Sequence, residues 1–163
     1  MLHWFINIFS SFSPGVATFL MAMTPVGELR LAIPIGILVY HLHPLQVFFL
    51  AILGNSIPPF FILLLAGKFH NWISKKSGYF ASGWIKVLNR AQEKFSHDYK
   101  KYGLIGLMIF IGIPLPYTGA YTGALAAFVF GISFKSAWPY FLAGIFISGT
   151  ITLLITIGTG KLF

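Results

Sequence analysis

The segment TPVGELRLAIP, residues 24–34, interrupts an apolar stretch that extends from residue 16 to residue 40. It leaves two apolar arms of about 8–10 residues, and at about 1.5 Å of rise per residue each arm reaches roughly half-way across a hydrocarbon core. We therefore expect a re-entrant helical hairpin, with Pro25, Gly27 and Pro34 shaping its turn. One full-length helix kinked at Pro25 and Pro34 is the alternative.

A second interrupted segment, IPLPYTGAYTG at residues 113–123, has the same character. Its apolar arms are residues 102–113 and 120–131. We expect a second hairpin here, with Pro114 and Pro116 shaping the turn.

A long apolar stretch follows each predicted hairpin, at residues 45–67 and 136–158. Both are long enough to cross a bilayer as a single helix. The first contains Gly54-Asn55-Ser56 and Pro58-Pro59, which predict a break at mid-depth. Such a break is tolerated only where neighbouring protein or a watery cavity satisfies the freed backbone groups.

The composition assigns the chain to the membrane class. It has 163 residues, of which 57% are hydrophobic and 9% charged, and its mean hydropathy is +0.84. A soluble domain carries about 25% charged residues. Because cysteine is absent, disulfides and thiolate chemistry are excluded. We expect no cofactor and no metal site, although His41 and His43 could hold a metal instead of forming a plain loop pair. We expect no enzymatic activity, since no nucleotide loop, Ser/His/Asp set or carboxylate pair is recognisable.

Basic residues concentrate in one connection: eight of the eleven Lys and Arg residues lie between residues 68 and 101, against two acids. Because this charge lies between apolar stretches, we expect anionic lipid headgroups rather than nucleic acid as its partner. The positive-inside rule places the connection in the cytoplasm and the chain in the inner (plasma) membrane as a multi-pass protein. Helical spacing of apolar and charged residues over 79–98 predicts an amphipathic helix on the membrane surface.

The two halves of the chain repeat one another at an offset of 91–93 residues, with Pro25 corresponding to Pro116. With a cytoplasmic connection between them, the halves have opposite orientations, as in many secondary transporters. The predicted fold is an all-α integral membrane protein, an inverted repeat of re-entrant helical hairpin plus transmembrane helix with an amphipathic cytoplasmic connection. Its single domain covers residues 1–163, with repeat 1 at about 14–68, the connection at 69–101 and repeat 2 at about 102–161.

Glu28 is the only acid outside the basic connection. An ionisable group at membrane depth costs about 2.5–3.5 kcal/mol on insertion scales, so Glu28 requires a partner, and Arg30 is the nearest candidate. In one interpretation the pair only holds the hairpin turn in place. In the other interpretation, Glu28 takes up and releases a proton. Arg30 then binds an anionic headgroup, because a guanidinium fork matches phosphate.

The second turn carries no charge, but it offers backbone amides and the hydroxyls of threonine and tyrosine. A half-helix that starts near Gly119 would direct its positive N-terminus at the membrane midplane, which favours an anion. Packing glycines are the alternative. Asn55 is a candidate lining residue or an interhelical contact. The predicted substrate- or ion-binding residues are Glu28, Arg30, Asn55, Thr118, Gly119, Thr122 and Gly123.

The motifs PVGELRLAIP at 25–34, LGN at 53–55 and IPLPYTGAYTGAL at 113–125 together resemble the small multidrug export protein family. That family is similar to the DedA (VTT-domain) superfamily. The resemblance implies a transporter with two opposed re-entrant hairpins, and some DedA proteins translocate undecaprenyl phosphate. DedA proteins carry acidic and arginine motifs in both halves, whereas here the second turn has neither.

Three functions are compatible with these features. The first is a dimeric transporter or flippase for an anionic lipid or amphiphile such as a polyprenyl (undecaprenyl) phosphate, possibly driven by protons through Glu28. The second is efflux of cationic lipophilic drugs with Glu28 as counter-ion. The third is a non-transport, membrane-shaping protein that acts through residues 79–98. We expect a homo-oligomer, because so few helices need a second copy to enclose a pathway.

Overall fold

The computed structural model describes residues 2–74, 103–114 and 119–160, and within these ranges it is helical without strands. Three predicted features lie outside these ranges: the amphipathic helix at 79–98, Pro116 and Thr118. The helices are α1 (Leu2–Ile8), α2 (Pro14–Ala22), α3 (Glu28–Pro34, continued by a π-helical turn at Ile35–Val39), α4 (Pro44–Ser74), α5 (Gly103–Gly112), α6 (Ala120–Val129) and α7 (Phe134–Gly160).

The first interrupted segment forms two short helices, α2 and α3, which contact one another across a turn at residues 23–27. Thr24 stabilises this turn with its hydroxyl, which donates to the carbonyl of Met21 (2.7 Å) and accepts from the backbone N–H of Gly27 (2.9 Å). The side chain thus replaces helical hydrogen bonds that the turn gives up. The segment is therefore not one continuous helix.

The first long helix, α4, is continuous, and the break predicted around Asn55 is wrong. Pro58 and Pro59 lie inside the helix. Packing on both sides of the prolines explains this. Before them, the backbone of Gly54 is so close to α2 that a Cβ would lie 2.3 Å from the carbonyl oxygen of Phe19. After them, the Phe60 ring packs against α7.

Both long helices have the length and composition of membrane spans, at Pro44–Leu65 and Phe134–Thr159, each with a mean hydropathy of 2.1. Only 39% of each apolar window is buried inside the protein. Large apolar side chains such as Leu53 and Leu154 point outward. An apolar surface of this kind suits lipid and not water.

The long helices run antiparallel, as their aromatic contacts show. Phe48, early in α4, meets Phe146 in the middle of α7, with ring centroids 5.2 Å apart. Phe60, later in α4, meets Trp138 early in α7 at 5.1 Å. Increasing residue numbers in one helix thus pair with decreasing numbers in the other.

In each half a glycine of the long helix packs against the backbone of a shorter helix. In the first half, Gly54 of α4 approaches the backbone of α2, and in the second half Gly144 of α7 approaches the backbone of α5, where a Cβ would lie 2.9 Å from the Met108 carbonyl oxygen. The halves also exchange contacts, because α3 packs on α7 and α6 packs on α4. This exchange brings the turn before α3 close to the start of α6.

Candidate functional site

Glu28 is the first residue of α3, and its backbone is strained. Its φ of 41° lies in the left-handed region, which costs a non-glycine residue about 1–3 kcal/mol. The residue is buried, with 9% of its surface exposed. A strained and buried acid at a turn requires local partners to hold it.

Two groups on different helices face the Glu28 carboxylate. The Arg30 guanidinium donates through Nη2 to Oε2 at 3.3 Å. The backbone N–H of Tyr121, in the first turn of α6, lies within hydrogen-bonding reach. The carboxylate therefore pairs with one charge on its own helix and faces one amide of another.

Gly119 makes room for this carboxylate. A Cβ on Gly119 would lie 2.2 Å from Oε2 and 2.7 Å from Oε1 of Glu28. As the N-cap of α6, Gly119 has no side chain to offer the first amides of the helix. The Glu28 carboxylate of α3 lies beside the start of α6 instead, where its negative charge complements the helix dipole.

A second contact joins the two turns. The Tyr121 hydroxyl donates to the backbone carbonyl of Met23, at the end of α2. Tyr121 therefore contacts the first turn through its amide and through its hydroxyl. Its amide and hydroxyl are among the groups that the sequence offers in the second turn, although Tyr121 is not in the predicted set of binding residues.

A cleft of about 330 Å³ opens beside these groups. One wall is the turn at residues 25–27 with Glu28 and Arg30, and the other is Tyr121 with Thr122. The two interrupted segments of the sequence therefore meet at one cleft, which has both a charged pair and apolar lining.

The predicted site residues divide into three groups. Glu28, Arg30 and Thr122 line the cleft, and Gly119 lies against the Glu28 carboxylate. Gly123 packs instead against side chains of α5 and α7. Asn55 does not line the cleft. It is buried in α4 with 2% of its surface exposed, and its Oδ1 has no hydrogen-bond partner among the described residues.

The residues predicted to shape the turns also have defined places. Pro25 and Gly27 form the first turn and line the cleft. Pro34 does not end its helix, because the chain continues in a π-helical turn. Pro114 follows the end of α5 in non-helical conformation.

These features define a helical membrane protein with a charged cleft where two broken segments meet. The sequence model of the family described as "Putative small multi-drug export protein" matches residues 28–151, so the chain belongs to this family. The matched range includes every charged residue of the cleft. No curated protein and no solved structure matches the chain.

Proposed function

We propose that the chain is a membrane transporter, not an enzyme, that moves an anionic lipid or amphiphile such as a polyprenyl phosphate. The observation that carries this proposal is the Glu28–Arg30 pair at a cleft shared by the two turns. A charged pair at membrane depth is costly, and such pairs commonly mark substrate or ion pathways. Membership of an export family supports transport in general.

The transporter architecture is an inverted repeat of two re-entrant hairpins. The antiparallel course of α4 and α7 supports it, since two halves of like packing whose long helices run oppositely have opposite orientations. In such proteins the substrate site lies where the broken segments of the two halves meet. The basic connection 68–101 would lie in the cytoplasm, against the anionic lipids of the inner membrane.

An anionic substrate fits the cleft better than a cationic one. The Glu28 carboxylate already has a cation and an amide as partners, so it is poorly placed to serve as a counter-ion. Arg30 is less well satisfied. Its Nε is buried and has no hydrogen-bond partner within the described ranges. A guanidinium carries five N–H donors in a fork that suits phosphate.

Proton coupling would act through Glu28. A proton on its carboxylate would remove the charge that pairs with Arg30 and that complements the start of α6. The contact between the two turns would weaken, and Arg30 would be free for the substrate. Because the cleft is lined by few residues, we further propose that two copies of the chain together enclose the pathway.

Flux in proteoliposomes tests the proposal, with a labelled polyprenyl phosphate and a lipophilic cationic dye as rival substrates, with and without a pH gradient. We expect the phosphate to move, and to move faster with the gradient. Movement of the dye alone, unaffected by Arg30→Ala, would favour cationic efflux. If neither compound moves under any gradient, the transporter proposal is wrong.

The membrane-shaping alternative makes a different prediction. Glu28→Gln and Arg30→Ala would leave its function intact, whereas charge reversal at Lys86 and Arg90 would abolish it. These basic residues lie outside the part of the chain that the structure describes.

A further inference from the structure

The position of the Glu28 carboxylate is built for an anion. Arg30 donates to it at 3.3 Å, the Tyr121 amide faces it, and Gly119 leaves the space that a side chain would fill. The anion in this position belongs to the protein itself. A substrate anion that needs the same partners therefore finds them already engaged.

The cleft opens on this position and is large enough for a ligand. Its volume of about 330 Å³ lies within the range of about 300–1,000 Å³ that is usual for small-molecule sites. The Arg30 side chain is 26% exposed, so its guanidinium is accessible from the cleft. The apolar side chains of Pro25 and Val26 line the same cleft and can contact an alkyl chain.

The hold on Glu28 is moderate, which permits exchange. Its contact with Arg30, at 3.3 Å, exceeds the roughly 2.7–2.9 Å of a strong charge-assisted bond. Its backbone strain also favours a different conformation. The carboxylate can therefore leave for the open side of the cleft at moderate cost.

We infer that Glu28 is a tethered competitor of the substrate, so that its carboxylate and a single anionic headgroup occupy the same position by turns. The inference rests on the proposed anionic substrate and adds its class, a phosphate monoester or similar head on one apolar chain. With Glu28 in place the pair with Arg30 is neutral, and a second anion would add an unpaired negative charge in an apolar setting. With Glu28 displaced to the open side of the cleft, where its carboxylate takes up water or a proton, a singly charged phosphate head pairs with Arg30, and that pair stays neutral.

This arrangement reverses the usual expectation for a binding-site residue. Removal of Glu28 frees Arg30 and the Tyr121 amide, so the affinity for an anion rises. A purely structural pair predicts the opposite, since loss of Glu28 would then disorder the turn and weaken binding.

The test measures binding of hexyl phosphate to the purified full-length chain in detergent by titration calorimetry at one fixed pH. We expect Glu28→Ala to tighten binding by about tenfold or more, because one charge-assisted competitor is lost. Glu28→Gln, which keeps the side-chain volume if the alanine variant fails to fold, tightens binding less. Glu93→Gln removes the same charge elsewhere and leaves binding unchanged. Adding Arg30→Ala to Glu28→Ala abolishes binding.

Two failures are distinguishable. If the wild type binds hexyl phosphate and both Glu28 variants bind it equally or more weakly, the competitor inference is wrong while the proposed anion site stands. If neither the wild type nor any variant binds it, the proposed anion site is wrong as well. Inorganic phosphate serves as a second probe, and an affinity equal to that of hexyl phosphate would overturn the amphiphile class.

Discussion

Replacing Gly119 with alanine tests the contact between the two turns. The backbone of Gly119, at φ 146° and ψ −171°, lies in a region that only glycine adopts readily, so alanine costs about 1–3 kcal/mol. Its Cβ would also lie 2.2 Å from the Glu28 carboxylate. The carboxylate must then leave Arg30, at a further cost of about 1.5–3 kcal/mol. We expect a total loss of about 2.5–6 kcal/mol in the free energy of unfolding.

The overlap disappears when Glu28 is also shortened. In the Glu28→Ala background, Gly119→Ala should cost only the backbone term, about 1–3 kcal/mol. The double-mutant cycle should therefore show a coupling energy of about 2 kcal/mol. Denaturant titration of the detergent-solubilised chain, followed by tryptophan fluorescence, measures each term.

Gly106→Ala is the matched control, because among the described residues no atom of a neighbouring element lies within 4 Å of the added Cβ. This α5 variant should be as stable as the wild type or slightly more stable. If the costs of Gly119→Ala and Glu28→Ala add to within about 0.5 kcal/mol, the two residues do not interact. The placement of Glu28 at the start of α6 would then be refuted.

Three further predictions concern the packing and the orientation of the halves. Tyr121→Phe removes the hydroxyl that donates to the Met23 carbonyl, and it should lower the free energy of unfolding by about 1 kcal/mol in the same titration. An unchanged free energy of unfolding would contradict this hydrogen bond. Gly54→Ala places a Cβ 2.3 Å from the Phe19 carbonyl oxygen and should cost about 1–3 kcal/mol. Gly158→Ala, whose Cβ meets no neighbour within the described ranges, should cost nothing. The chain has no cysteine, so His41→Cys and Ser133→Cys can be labelled singly with an impermeant maleimide. The inverted repeat predicts labelling from opposite sides of the membrane, and labelling from one side would exclude it.

The helices follow from the sequence because their signals are local. Proline and glycine within apolar stretches predict the turn before α3, and uninterrupted hydropathy predicts α4 and α7. Asn55 and Pro58-Pro59 misled the prediction of a break. Whether a proline interrupts a helix depends on what packs beside it, and the contact of Gly54 with α2 is a tertiary feature that local patterns do not contain.

The sequence predicted residues from both sides of the candidate site, but not the contacts between them. Glu28 and Arg30 stand out because charge is rare in this chain and costly in a membrane. The contact of Glu28 with Gly119 was not predictable, because it requires α3 and α6 to be brought together by the long helices of opposite halves. The expected anion position at the start of α6 does hold an anion, but the anion is the protein's own carboxylate.

Flux of a labelled polyprenyl phosphate by wild-type and Arg30→Ala proteoliposomes tests the central claim most directly, with Lys135→Ala as the control for loss of one exposed positive charge. The account predicts that Arg30→Ala lowers flux by about tenfold or more, and that Lys135→Ala leaves it unchanged. Wild-type flux in Arg30→Ala vesicles of equal protein content would contradict the account.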